Sequence, residues 1–328
     1  MASMDPVRPA VRQLLVDEAG EGQRIDNFLV RTLKGVPKSH VYRILRSGEV
    51  RVNGGRADPS QRLAVGDKVR VPPIRTAQPA TAPARSAVPR RGPRFEVLHE
   101  DDDLIAIDKP SGLAVHGGSG ISMGLIEGLR SARPEAKFLE LVHRLDRETS
   151  GVLLVAKRRA TLVALHALLR DGGIDKRYQV LVRGRWRDEK RTVRLRLHKF
   201  ASQEGERRVR VDDDMGRESS TTFHRLKVWS RREPPVSLLE AELHTGRTHQ
   251  IRVHLTHLGF PLAGDDKYGD FAWNRELAKA GLKRMFLHAG ALSFVHPGTG
   301  TTLSLVSPLP GELARFTAGL DTAEPTHA

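Results

Sequence analysis

At 328 residues the chain exceeds one typical domain, so two domains and a linker are expected. Its 54 Lys and Arg against 39 Asp and Glu leave a net charge of +15, an excess that suits an anionic partner, nucleic acid first among them. There is no cysteine for a disulfide or thiolate site, no long uncharged apolar run for a membrane span, and no signal-peptide core in MASMDPVRPAVRQLL, so a soluble cytoplasmic protein is expected.

Residues 22–75 read as a small basic module. RIDNFLVRTL and SHVYRILRSG place Phe28, Leu29 and Leu33, then Val41, Ile44 and Leu45, at helical spacing with arginines between them, and strand-like EVRVNGG and LAVGDKVRVPP follow. Twelve basic residues against four acidic ones give this stretch +8, so the module has a core and a cationic outside. Residues 76–94, TAQPATAPARSAVPRRGPR, hold four prolines and five alanines but no aromatic residue, Ile or Leu; nothing there can build a core, and a linker is expected.

From Phe95 onward strands and helices alternate. FEVLHEDDDLIAIDK supplies two strands around an acidic turn, and PSGLAVHGGSG supplies a loop. Gly117, Gly118 and Gly120 are not a Walker-type phosphate cradle, because the lysine and hydroxyl residue that must follow are absent; a close backbone turn is the simpler reading. In LVHRLDRETSGVLLVAK, residues 141–157, Asp146 lies between Arg144 and Arg147 ahead of a Thr149-Ser150-Gly151 turn and an apolar strand. A carboxylate beside guanidinium groups stays ionised, which suits a nucleophile or base working on a phosphate-rich substrate. The plainer alternative is a surface ion-pair cluster.

RATLVALHALLRDGG sets Leu162, Leu165, Leu168 and Leu169 on one helical face and stops at a glycine pair. KRYQVLVRGRW is strand-like and carries Tyr178, and residues 191–244 alternate polar and apolar as an antiparallel series with one basic face. HTGRTHQIRVHLTHLG turns at a glycine and enters a helix with Ile251, Leu255 and Leu258 in phase and Arg247 at its start. His244, His249, His254 and His257 invite a zinc reading, but there is no cysteine, the spacings leave the helix face, and HExxH is missing, so no metal site is expected. RMFLHAGALSFVHP and TTLSLVSPLP close the sheet, GELARFTAGL is a terminal helix, and residues 321–328 are expected to be a disordered tail.

The HRLD string followed by TSG resembles the catalytic motif of the RluA family of pseudouridine synthases, with Glu148 where many members carry aspartate. KPSGLAVHGG matches that family's first motif and GRTHQIRVH its third. The strings KPSGLAVHGGSG, LIEGLR, FLELVHRLDR and HPGTG are similar to the type C subgroup of large-ribosomal-subunit enzymes, and the N-terminal module is similar to the αL RNA-binding domain of a small-subunit ribosomal protein. The resemblance implies an α+β protein: an αL domain (22–75), a Pro/Ala linker, and a catalytic domain (95–320) with a mixed, mainly antiparallel sheet flanked by helices. It implies isomerisation of uridines in 23S ribosomal RNA or its large-subunit precursor by a monomer that needs no cofactor or metal. Asp146 would act on the sugar, Tyr178 would lie against the base and take part in proton removal at carbon 5, and Arg247 would pair with Asp146. Arg144, His143, Leu287 and His116 would contact the substrate. Two other readings stay open: a non-catalytic RNA binder built on the αL domain, and a carboxylate hydrolase with Glu148 as second carboxylate, for which arginine-rich surroundings are poor at keeping a general acid protonated.

Overall fold

The computed structural model describes residues 11–17, 20–33, 35–74, 96–117, 123–202 and 206–322, and the chain divides into two units, Met1–Arg91 and Gly92–Ala328. The expected linker, Gly118, Gly120 and residues 323–328 of the expected tail lie outside the described residues.

In the first unit the helical spacing of apolar residues produces α1 (Ile25–Thr32) and α2 (Lys38–Arg46), which bury Ile25, Phe28, Leu29, Val41, Ile44 and Leu45 in one core. The core is closed by an antiparallel sheet of β1 (Arg12–Leu15), β2 (Arg51–Val52), β3 (Gly55–Arg56) and β4 (Lys68–Val71), ordered β1-β4-β2-β3. β1 lies ahead of the expected start at residue 22 and pairs along β4 from Arg12↔Val71 to Leu15↔Lys68. Between β2 and β3, Asn53 and Gly54 both take positive φ, 50° and 85°, the signature of a two-residue hairpin whose twist matches its strands. Arg43, Arg46, Arg51 and Arg56 remain exposed around this core.

The second unit is built on one sheet. Its elements are β5 (Glu96–Glu100), β6 (Leu104–Lys109), α3 (Leu125–Ala132), β7 (Glu140–Leu141), β8 (Ser150–Ala156), α4 (Arg159–Asp171), β9 (Ile174–Arg183), β10 (Lys190–Ala201), β11 (Arg207–Val211), β12 (Arg217–Trp229), β13 (Val236–Leu243), α5 (Gln250–His257), α6 (Phe271–Lys279), β14 (Leu287–Val295), β15 (Thr302–Val306) and α7 (Gly311–Thr322). The strand order is β11-β10-β12-β13-β9-β14-β8-β6-β5, with β15 on β14 and β7 on β8. Every pairing is antiparallel except β14 with β8. α4 stops where expected, at Gly172 in the left-handed conformation, whereas Asp321 and Thr322 extend α7 into what the sequence suggested was tail. No helix among the described residues is long and apolar enough to cross a membrane.

β8 sets the position of the Asp146 loop. All seven of its residues are buried, so SGVLLVA reads as a continuous apolar run because both faces of this central strand are covered. Gly151 has φ +112°, and a Cβ there would lie 2.2 Å from the carbonyl oxygen of Ala289 on β14. Glycine at this position is what lets the two parallel neighbours meet. Gly151→Ala is expected to destabilise the second unit by at least about 2 kcal/mol. Trp186, Trp229 and Trp273, the three tryptophans of the chain, all belong to that unit, so a fluorescence-detected urea titration reads it; an unchanged midpoint would contradict the steric argument.

Candidate active site

Asp146 ends the loop that feeds β8, and that loop is clamped from beneath. Its turn closes with the Thr149 N–H donating to the Asp146 carbonyl at 3.1 Å. Lys109, wholly buried at the end of β6, donates through Nζ to the carbonyls of Pro110 (2.8 Å), Leu113 (2.8 Å) and Arg147 (3.0 Å). Burial pushes its ammonium down to about 7, so the three carbonyls hold a cation that the interior alone would reject. Ser111 Oγ donates to the Glu148 carbonyl at 2.8 Å, and Arg284 Nη2 donates to Ser150 Oγ at 2.8 Å. The KPSG string is thus the floor of the Asp146 loop, a part its glycines did not disclose.

The guanidinium that meets Asp146 is Arg252. It projects from α5, and its Nη1 donates to Asp146 Oδ2 at 3.2 Å, while Nε and Nη2 hold both oxygens of Asp265 at 2.7 Å each. Asp265 is fully buried and Arg252 nearly so. Burial works against both charges, but the fork between them more than offsets it: the arginine pKa lies above its ordinary value and that of Asp265 below. The expected pairing of Arg247 with Asp146 is therefore corrected. Arg247 precedes the helix, is exposed, and donates from Nε to the Glu218 carbonyl at 3.1 Å. Five residues later along the chain, Arg252 faces inward on the first turn and a half of α5, where the carboxylate lies.

Around Asp146 opens a cavity of about 780 Å³, lined by Arg144, His143, His116, Tyr178, Leu287, Arg247 and Arg252 among others. Asp146 and the six other sequence-selected positions, which are all of these but Arg252, therefore meet at one place. That volume is within the range of small-ligand sites. Arg144 and His116 are exposed, and Leu287 is buried in the wall. His143 has a structural bond: its Nε2 accepts the Leu154 N–H at 3.2 Å, tying the HRLD string to β8, and burial holds its pKa down at about 4. Tyr178 stands half-buried on β9; burial and then the nearby Asp146 charge raise its phenol pKa. It is a neutral phenol at physiological pH, offering a flat face and a hydroxyl and not a phenolate base. Lys176, also lining the cavity and buried, was passed over in the sequence because it reads as part of a strand.

Three of the four histidines that invited a zinc reading have separate partners. His244 Nε2 meets Thr222 Oγ1 at 2.9 Å, His254 Nε2 meets Ser219 Oγ at 2.8 Å, and His249 Nδ1 meets Tyr268 Oη at 2.9 Å. Asp101, Asp103 and His296 do converge elsewhere. There His296 Nδ1 accepts N–H groups from Gly298 (3.1 Å) and Thr299 (3.2 Å), which caps the turn, while its Nε2 lies 3.2 Å from Asp101 Oδ2. Glu148, the second carboxylate of the hydrolase reading, pairs with Arg147 Nε at 2.7 Å.

A carboxylate ahead of a central strand, an arginine bonded to it, a tyrosine lining the same cavity and a separate basic module form an arrangement suited to work on nucleic acid. Comparison with known proteins agrees: the family described as RNA pseudouridylate synthase matches residues 103–257, and the S4 domain matches residues 23–69. The chain is 51% identical over 310 residues to "Ribosomal large subunit pseudouridine synthase C" of Salmonella typhimurium, covering 94% of this chain and 96% of the relative. It is 48% identical over 315 residues to the protein of the same description from Pasteurella multocida, covering 96% and 95%. Among solved structures, "Human RNA Pseudouridylate Synthase Domain Containing 4" shares the fold with a TM-score of 0.55 at 24% identity, over 69% of this chain and 92% of that one. The chain belongs to the RluA family of pseudouridine synthases.

Proposed function

We propose that this enzyme isomerises specific uridines of 23S ribosomal RNA, with Asp146 as the catalytic residue. The observation that carries the reading is the Arg252–Asp146 contact of 3.2 Å inside a cavity rimmed by arginines. The ion pair gives the carboxylate a fixed counter-charge and aims it. In the reaction the bond from C1′ to N1 breaks, the base turns, C1′ bonds to C5, the C5 proton leaves, and N1 gains a proton. Addition of Asp146 to the anomeric carbon and removal of the 2′ proton both call on the same ionised oxygen. A stacked uridine is out of reach, so it leaves the helix at a cost of a few kcal/mol that backbone contacts offset. Tyr178 stacks on the everted uracil, Leu287 packs beside it, and Arg144 and His116 at the rim hold the RNA. Large-subunit RNA as substrate is supported by the descriptions of the relatives and by the cationic S4 domain. Mapping pseudouridine by chemical adduct and reverse-transcription stops, in ribosomal RNA from cells with and without the protein, tests it; identical maps would overturn it.

The S4 domain supplies affinity, since every cavity residue lies in the other unit. Phosphate contacts release counterions, so removal of residues 1–90 is expected to weaken binding of 23S RNA fragments and flatten the dependence of log affinity on log salt, while single-turnover rates at saturating RNA change by less than about tenfold. Equal salt slopes with a lost rate would show instead that the module completes the active site.

A further inference from the structure

The residue just before α5, His249, takes a left-handed backbone, φ 53° and ψ 22°, a conformation that strains a non-glycine residue. That twist turns the ring inward, where the side chain is only 14% exposed and its Nε2 lies 3.8 Å from Asp146 Oδ2. On the other edge Nδ1 lies 2.9 Å from Tyr268 Oη, and the two rings meet edge to face at 5.5 Å. Tyr268 Oη already accepts the Val209 N–H of β11 at 2.9 Å. Its own hydroxyl proton is therefore free to go to Nδ1, which makes Nδ1 an acceptor and leaves the imidazole proton on Nε2, the nitrogen that faces the carboxylate. Both ends of the ring ask for the same tautomer.

We propose that His249 is a positioning residue for the isomerisation: fixed by Tyr268, it donates from Nε2 to Asp146 Oδ2. Arg252 and His249 then converge on that one oxygen and leave Oδ1 to meet the ribose. The gap of 3.8 Å is longer than a hydrogen bond, and contacts of this kind tighten when substrate closes the site. Because Tyr268 is also bonded to β11, the chain from Val209 through Tyr268 and His249 ends at the reacting carboxylate, so the β10–β11 hairpin and the chemistry share one hydrogen-bonded line.

The proposal rests on Asp146 being the catalytic carboxylate, and the test separates the two. Single-turnover release of tritium from 23S RNA transcribed in vitro with label at uracil carbon 5 is measured beside the dissociation constant of the same RNA. Asparagine mimics Nδ1 and glutamine mimics Nε2. His249→Asn keeps a partner for Tyr268 but cannot reach Asp146, so its rate is expected to fall at least tenfold with affinity within threefold; His249→Gln regains the donor and is expected to run at least threefold faster than the asparagine variant. Tyr268→Phe removes only the hydroxyl and frees the tautomer, and a threefold or larger loss of rate is expected. It decides the matter if both His249 variants fail to fold. An asparagine variant as fast as wild type, a glutamine variant as slow as asparagine, or Tyr268→Phe at the wild-type rate overturns the proposal. Turnover by Asp146→Asn, or none by wild type, would overturn the assignment beneath it and the proposal with it.

Discussion

Asp146→Asn is expected to abolish isomerisation while RNA affinity stays within about threefold, because the amide keeps the shape and the hydrogen bond from Arg252 but loses the charge that the sugar chemistry needs. Its side chain is a quarter exposed and supports no core, so the folded state should be unaffected. The measurement is tritium release from carbon 5 under single-turnover conditions beside filter binding of the same RNA. Detectable turnover would remove Asp146 from the chemistry; a collapse of affinity would mean that it serves binding.

Arg252 is expected to be nearly as sensitive and for a second reason. Arg252→Lys keeps a positive charge but cannot hold both oxygens of Asp265 and reach Asp146 at once, so the rate should fall about a hundredfold or more. Arg252→Gln leaves the buried Asp265 carboxylate without its counter-charge and should in addition cost roughly 3–5 kcal/mol of stability. Arg247→Lys, changing an exposed side chain bonded to a backbone carbonyl, should lower the rate by at least about ten times less than Arg252→Lys does. Equal losses at the two arginines would contradict the assignment of the carboxylate's partner to α5.

Local order and the choice of Asp146 as a candidate were legible in the sequence. Apolar residues three and four apart made α1, α2, α4, α5 and α7 visible, and a glycine pair ended α4. The run GVLLVA announced β8 because a strand covered on both faces has no polar side to show. Asp146 between two arginines was legible for the same local reason, since its neighbours in the chain already frame its charge. α6 was missed, although Asp270 is its cap, accepting from the Ala272 and Trp273 N–H groups, and Trp273 and Leu277 stand one turn apart on its buried face.

Only the tertiary structure decided which groups complete the site. β14 slots between β9 and β8, which puts Leu287 beside a loop some 140 residues earlier in the chain, and no periodicity encodes such a pairing. Arg247 and Arg252 lie in one string and are chemically alike. Which of them meets Asp146 follows from where α5 begins, from the left-handed turn at His249, and from Asp265, whose burial comes from packing and not from its neighbours in sequence. Sequence sets the charge and shape a residue can offer; the direction in which it offers them depends on contacts made by distant parts of the chain, and the partner of a buried charge is chosen there.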